Sequence, residues 1–396
     1  MNNRPTQLTR RDFLLTTGAV GLGSMLLPSM LRAADVARPK VARRKFGQTG
    51  VDVSIVSLGC MFPTIDNQIV LKTAYEHGVT HWDTAAGYEK GGSEVGIGMF
   101  LEKNPAARKE LFIVTKAGNN FARSLDESLA RMKTDYVDLF FVHGPRDLGR
   151  VDTAEMKAFA EAAKKSGKIR FFGFSTHSNM PTMLTAAAKL GWIDGIMFTY
   201  NYREMHKPEM QAAVDACTKA GIGLTAMKTM AERSGSDTPE QTALLEPLRA
   251  KGFTPGQAKL KAVMANPQIA TACVQMPNMK FCRENIAAAL DQTQLAADDH
   301  ATLERYAAAT CHGYCSGCSH LCEAALASAV PVRDVMRQLM YHHHYGPEVD
   351  ARALYRELPA ATRVRLTQLD YAAAERICPN RLPIGRMMRE AAQVLG

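Results

Sequence analysis

HWDTAAGYEK, residues 81–90, decides the architecture, together with two apolar runs that follow it, LFIVTK (111–116) and DLFFVH (138–143). Each segment carries ionisable groups at or just past its C-terminal end: Asp83 and Tyr88, then Lys116, then His143. A parallel barrel gathers such groups at one mouth, because its active site is built at the C-terminal strand ends. The residue types suit one chemistry. Tyrosine is a weak acid with an ordinary pKa of about 10. An ammonium beside it favours the phenolate and makes it a better proton donor. An aspartate holds that lysine charged and in place, and a histidine positions a substrate oxygen by hydrogen bonding. The four residues therefore read as catalytic, with Tyr88 passing a proton to a carbonyl oxygen while a hydride reaches the carbon.

Working outward, apolar runs alternate with amphipathic stretches at regular spacing, the pattern of βα units. Strands are expected near Ser54–Gly59, Thr80–Asp83, Phe112–Lys116, Val137–His143, Arg170–Ser175, Gly195–Tyr200, Gly223–Lys228 and Ala270–Met276. Thr153–Lys165 reads as a helix, since Met156, Phe159, Ala160 and Ala163 recur at helical spacing. The fold class is α/β: a (β/α)8 TIM barrel over residues 42–295, followed by a small C-terminal helical extension over 300–396 that contains cysteines. An open doubly wound sheet would place a glycine-rich fingerprint after its first strand. Gly59-Cys60-Met61-Phe62-Pro63 is no such fingerprint.

These residues, in this order, resemble the catalytic tetrad of the aldo-keto reductases. The resemblance extends through KFGQTGVDVSIVSLGCM, GYEKGGSEVGIGMFL, GKIRFFGFSTHS, MFTYNYREM, GIGLTAMKTM and VQMPNMKFCRENIAAAL, which follow in family order. It implies an NAD(P)-dependent oxidoreductase acting on a small-molecule carbonyl or alcohol. It also implies a cofactor face on the later strand ends. Ser175 and Thr176 stand where the family commonly has Ser-Asn, and Tyr200 stands near its nicotinamide-stacking aromatic. The family's Gln is replaced by Met197, and Lys228 is placed to reach the pyrophosphate. Glu284 and Asn285 match the adenine-contacting pair. The arginine that grips the 2′-phosphate would fall at Phe281, with Lys280 or Arg283 as substitutes. NADP is the expected cofactor, with NAD as the alternative. His177 follows the fifth strand and either faces the substrate pocket or serves as an exposed or capping residue.

The first 37 residues read as an address. Paired Arg10 and Arg11 precede a stretch without charge from Phe13 to Leu31. This resembles a twin-arginine export signal. It implies the twin-arginine machinery as a partner and a periplasmic or exported protein, anchored in the membrane where the signal stays uncleaved.

Five of nine cysteines lie after residue 310, in CHGYCSGCSHLC (311–322) and at Cys378-Pro379. Bacterial ferredoxins use a C-x2-C-x2-C-x3-C-P run whose fourth cysteine serves the other cluster. Cys315, Cys318, Cys322 and Cys378 then make one [4Fe-4S] site, with Cys311 as a substitute ligand. The tail also resembles the extension of some iron–sulfur aldo-keto reductases, which implies an electron-transfer partner. Structural zinc and disulfides are the rival readings. Between the two cysteine groups, VRDVMRQLMYHHHYGPEVDARALYREL reads as two helices broken at Gly346-Pro347. Consecutive histidines 342–344 point about 100° apart on a helix and do not converge on one ion.

The charge is 48 Lys+Arg against 39 Asp+Glu, or +9, with no run of five basic residues. Nucleic-acid binding finds no support in that distribution. A modest basic excess suits a phosphate-bearing cofactor. The alternative function is a cofactor-binding barrel that acts as a redox sensor or assembly subunit with vestigial catalysis.

Overall fold

The structure, a computed structural model, describes residues 38–233, 236–345 and 350–396. The signal assigned to residues 1–37 and the break assigned to Gly346-Pro347 lie outside them.

A hairpin opens the described chain, β1 (Arg43–Lys45) pairing antiparallel with β2 (Asp52–Ser54). Its Phe46 is fully buried and packs 5.2 Å from the ring of Phe112. A side chain at Gly195 or Gly223 would strike the Phe46 ring. These neighbours all begin strands, so the hairpin plugs the N-terminal end of the barrel. Ser54, expected in the first barrel strand, belongs to this hairpin instead. Its hydroxyl accepts from the Thr80 and His81 amides, fastening the plug to the next strand.

Eight parallel strands close the barrel: β3 (Val56–Gly59), β4 (His81–Asp83), β5 (Phe112–Ala117), β6 (Val137–His143), β7 (Ile169–Thr176), β8 (Gly195–Thr199), β9 (Gly223–Met227) and β10 (Thr271–Gln275). β10 pairs with both β3 and β9 to complete the ring. Strand side chains alternate between two layers, as period-2 geometry requires. Val114, Leu139, Phe141 and Met197 fill the interior with Phe46. Ile113, Phe140, Val142 and Phe198 join the layer beneath the helices.

The helices between strands are α1 (Gln68–Glu76), α2 (Gly92–Lys103), α3 (Phe121–Met132), α4 (Ala154–Lys165), α5 (Met180–Ala187) and α6 (Pro208–Lys219). α7 (Pro239–Ala243), α8 (Glu246–Ala250) and α9 (Pro255–Met264) precede β10, and α10 (Met279–Leu290) follows it. The α4 segment starts one residue later than its sequence pattern, because Thr153 serves as its N-cap and accepts from the Met156 amide.

Among its described residues the extension is built of helices and their connections: α11 (Ala297–Ala309), α12 (Ser319–Ala325), α13 (Val332–His344), α14 (Ala351–Arg356), α15 (Ala360–Gln368), α16 (Ala372–Ile377) and α17 (Ile384–Leu395). From α12 onward it has a core of its own, in which Val335, Leu339, Tyr355, Leu366, Met388 and Leu395 pack together. α11 instead packs on the barrel loops through Leu303 and Tyr306, against Tyr202, Leu248 and Phe253. Arg203 ties the two by donating to Ala307 O and Thr310 Oγ1.

Candidate active site

Strand ends β4, β5 and β6 bring the four catalytic candidates together. Lys116 is only 1% exposed and donates from Nζ to Asp83 Oδ2 at 2.8 Å and to Thr84 O at 2.7 Å. The same nitrogen lies 4.9 Å from the centroid of the Tyr88 ring. The Tyr88 and His143 rings meet edge to face at 5.8 Å. The loop that carries Tyr88 is braced, because the Thr84 and Ala86 amides continue the β5 ladder by donating to Val114 O and Lys116 O. Beyond Tyr88 the chain turns sharply, with Glu89 and Lys90 both left-handed at φ 51 and 53°. Such conformations cost about 1–3 kcal/mol each and persist where the surroundings enforce them. Behind this turn, fully buried Glu94 accepts from Thr115 Oγ1 and Arg131 Nε, locking α2 to β5 and α3.

The Lys116 ammonium, expected to favour the Tyr88 phenolate, also pairs directly with Asp83. Burial pushes the Tyr88 phenol well above its ordinary range, and the Asp83 carboxylate pushes the same way. The cation that pulls it back is Lys228. Tyr88 is therefore a fully protonated donor at neutral pH. Burial also raises Asp83 despite the opposing pull of Lys116. His143 is held neutral, its pKa lowered to about 3 by burial and by the charges of Lys116 and Arg337.

The candidate cofactor residues divide. Ser175 is buried in register beside His143, on the same face of the sheet. Thr176 turns the other way, and its hydroxyl donates to Pro145 O while accepting from the Ser178 amide. Tyr200 continues the helix-facing series of Phe198, buried with its hydroxyl accepting from Asn266 Nδ2 at 2.7 Å. Neither Thr176 nor Tyr200 reaches the mouth, and Met197 is interior core. The cause for both is the period-2 alternation, which sends every second side chain outward. Lys280 and Arg283 are exposed on α10, as is Phe281 at 45%. Glu284 is half-buried, and Asn285 is buried with Nδ2 donating to Gln275 O at 3.5 Å.

Lys228 does stand at the mouth, but the tail claims it. Its Nζ donates to Tyr345 Oη at 2.9 Å and Tyr341 Oη at 3.2 Å, and lies 4.4 Å from each ring centroid. α13 thus crosses the ends of β7–β9. Arg146, beyond β6, pairs with Asp334 on this helix and with Glu323 on α12. His177 is found at this junction, its Nδ1 3.0 Å from Thr199 Oγ1. It lines a cavity between strand ends and tail, along with Lys228, Arg333 and Arg337.

A second cavity is lined by Cys315, Cys318, Cys322 and Cys378 together. Cys311 is not among its lining residues and sits in a separate turn, Cys311–Gly313. Asn380 joins the distant halves by donating to Tyr314 O at 2.7 Å and Ser316 Oγ at 3.0 Å. Gly317, at φ +76°, rests directly on the His177 carbonyl, where any side chain would collide. No disulfide joins any of the nine cysteines. Among the described residues, no three His, Cys, Asp or Glu side chains converge closely enough for a single metal ion. The tail residues at the mouth, Arg333, Arg337, Tyr341 and Tyr345, escaped the sequence reading, although they recur every four positions along one helix.

Comparison with known proteins agrees with this geometry. The Aldo/keto reductase family model matches residues 64–307, ending just before Cys311. The uncharacterized oxidoreductase YqkF of Bacillus subtilis is 28% identical over 284 residues, covering 62% of this chain and 90% of its own. The NADP(+)-designated aldo-keto reductase yakc of Schizosaccharomyces pombe is 26% identical over 302 residues, covering 63% and 86%. A solved thermostable aldo-keto reductase, Tm1743, in complex with the inhibitor epalrestat, superposes with a TM-score of 0.56 at 26% identity. That match covers 67% of this chain and 99% of the other. An eight-stranded parallel barrel and a family match over most of its length make this chain a member of the aldo/keto reductase family, an NAD(P)-dependent oxidoreductase.

Proposed function

We propose that the protein interconverts a small carbonyl compound and its alcohol, with Tyr88 as acid/base. The carrying observation is the buried Asp83–Lys116 pair at 2.8 Å, with the rings of Tyr88 and His143 gathered against it. In reduction, Tyr88 gives its proton to the oxygen that becomes an alkoxide. His143, neutral, hydrogen-bonds that oxygen and holds it toward Tyr88. Lys116 stabilises the phenolate left behind, and Asp83 keeps the ammonium in place.

A nicotinamide cofactor supplies or accepts the hydride when bound. NADP is favoured over NAD by the name of the yeast relative. Ser175 beside His143 and Lys228 at the mouth fit such a group, with Lys280, Arg283, Glu284 and Asn285 along α10. Thr176 and Tyr200 do not. The test is cofactor oxidation against a panel of aldehydes and ketones. Tyr88→Phe should lower turnover by about 10²–10⁴ while cofactor fluorescence still reports binding. Unchanged turnover removes the assignment. The sensor or assembly reading draws on the tail's hold on Lys228, and cofactor binding without turnover on any carbonyl would favour it.

We further propose that the four-cysteine cavity holds a four-iron cluster. Four thiolates on one zinc, each about 2.3 Å from the ion, must crowd within about 3.8 Å of one another. A cluster places an iron at each corner and spreads its thiolates wider. Burial pushes the Cys315 and Cys322 thiols up to about 12, and neighbouring cysteines add to it. Such thiols become ligands only where a metal takes their charge. Arg333 also lines this cavity. A brown absorbance that bleaches on reduction, in anaerobic preparations containing iron and sulfide, supports this. Zinc without colour rejects it. Export by the twin-arginine route, supported by Arg10 and Arg11, fits a protein loaded with its cofactors before crossing. Blocked export of an Arg10→Lys, Arg11→Lys variant is the test.

A further inference from the structure

The mouth cavity is bordered on the barrel side by His177, Thr199 and Lys228, and on the tail side by Arg333 and Arg337. Its volume, 60 Å³, holds a few waters or one small polar group. The wall carries three permanent cations. The one carboxylate on it, Glu232, has His344 Nδ1 at 3.5 Å. Arg333 is the telling residue. It is only 5% exposed, and its Nε and Nη1 have no hydrogen-bond partner among the described residues. Its Nη2 donates to Asp334, which also receives Arg146 and Arg337. Among the described residues Glu323 answers only Arg146 in addition, so two carboxylates face three guanidinium groups, and a buried charged donor left without a partner is costly.

Other groups register the same positive field. His177 is pushed well below its ordinary range by burial and then by Arg337, Lys228 and Arg333. Tyr341, although buried, is pulled down by Lys228 and Arg337.

We infer that this cavity is an oxyanion site, in which Arg333 and Arg337 receive a carboxylate or phosphate group of a ligand. The ligands it selects are small carboxylic acids, of which short 2-oxo acids are examples. Planar guanidinium groups match a carboxylate in shape as well as charge. The diphosphate of a dinucleotide carries the same chemistry, so the two sources must be separated by experiment.

The probes are oxamate, inorganic pyrophosphate and neutral acetamide, titrated calorimetrically into the full chain without turnover. Oxamate should bind and acetamide should not. Arg337→Gln, at a side chain 28% exposed, should weaken oxamate at least tenfold, and Arg333→Met should abolish it. Tyr88→Phe should leave oxamate affinity within a few-fold of native, which separates failure of this site from failure of the carbonyl chemistry. Pyrophosphate binding that Arg337→Gln also weakens, with oxamate silent, keeps the oxyanion site and assigns it to the cofactor. Native affinity in Arg337→Gln, or no binding by either anion, overturns the inference.

Discussion

The two halves of the barrel mouth are built on different plans. On the β4–β6 side, every group that matters comes from the barrel: Asp83, Tyr88, Lys116 and His143 are within 60 residues of sequence and braced by adjoining strands. On the β7–β9 side, strand ends contribute Ser175, His177 and Lys228, but the environment is completed by α13 from more than 100 residues away. The first half takes its candidate catalytic groups from the barrel alone. The second is conditional on the tail, and the tail is conditional on the cysteine loop seated on His177 through Gly317. A chemistry common to a family and an environment particular to this chain thus occupy opposite sides of one opening.

The sharpest way to break the first half is Lys116→Met. It leaves Asp83 charged, buried and unpaired, a state that costs about 3–5 kcal/mol. Denaturant melts should show that loss, and the double variant with Asp83→Asn should recover much of it. Wild-type stability in the single variant would mean that Asp83 is already protonated and that the pair is no ion pair.

A smaller effect is expected in the second half from Asn380→Ala, which removes two hydrogen bonds holding Cys378 to the Tyr314–Ser316 loop. The expected loss is about 1–3 kcal/mol. Thiol labelling should reach Cys378 faster, and iron retention should fall, while the barrel keeps its fold. Unchanged labelling would show that the tail core alone positions the cysteines.

The same division governs what the sequence discloses. Strand β6 matches its apolar run residue for residue, since a buried parallel strand is continuous and ends where its polar residue emerges. The four catalytic candidates were legible because each terminates or directly follows such a run. Thr176 and Tyr200 misled because position along a strand does not state which face a side chain takes. Alternation settles it, and once Met197 is interior, Phe198 and Tyr200 must face the helices. The cysteine spacing pointed to a shared site and Cys378 joined it. Nothing local chose between Cys311 and its neighbours, because the choice depends on how the chain folds back through Asn380. Arg333, Arg337, Tyr341 and Tyr345 form a visible stripe. A stripe shows that a helix has a face, and only tertiary packing shows what the face meets.

The smallest expected signal compares the histidines of the two halves. His143 is held neutral chiefly by burial, then by Lys116 from the barrel and Arg337 from the tail. After burial, His177 owes its shift to Arg337, Lys228 and Arg333. An unfolded histidine takes its proton near pH 6.5, whereas folded His143 takes one only near pH 3. Between those values the unfolded chain binds more protons, so stability is complete above about pH 6.5 and declines as pH falls toward 3. Each group contributes at most about 1.4 kcal/mol per pH unit. His143→Asn and His177→Asn should each flatten the dependence of melting temperature on pH between 6.5 and 5. Arg337→Gln should act on His177 more than on His143, because the tail guanidinium is the first of His177's charged neighbours and follows Lys116 among those of His143. The loss levels off at each folded pKa, which removal of the guanidinium raises, so adding Arg337→Gln to His143→Asn should move that levelling to higher pH, and adding it to His177→Asn should move it less. Equal shifts in the two backgrounds would mean that α13 weighs on both sides of the mouth alike, and the division between barrel-built and tail-built halves would fail.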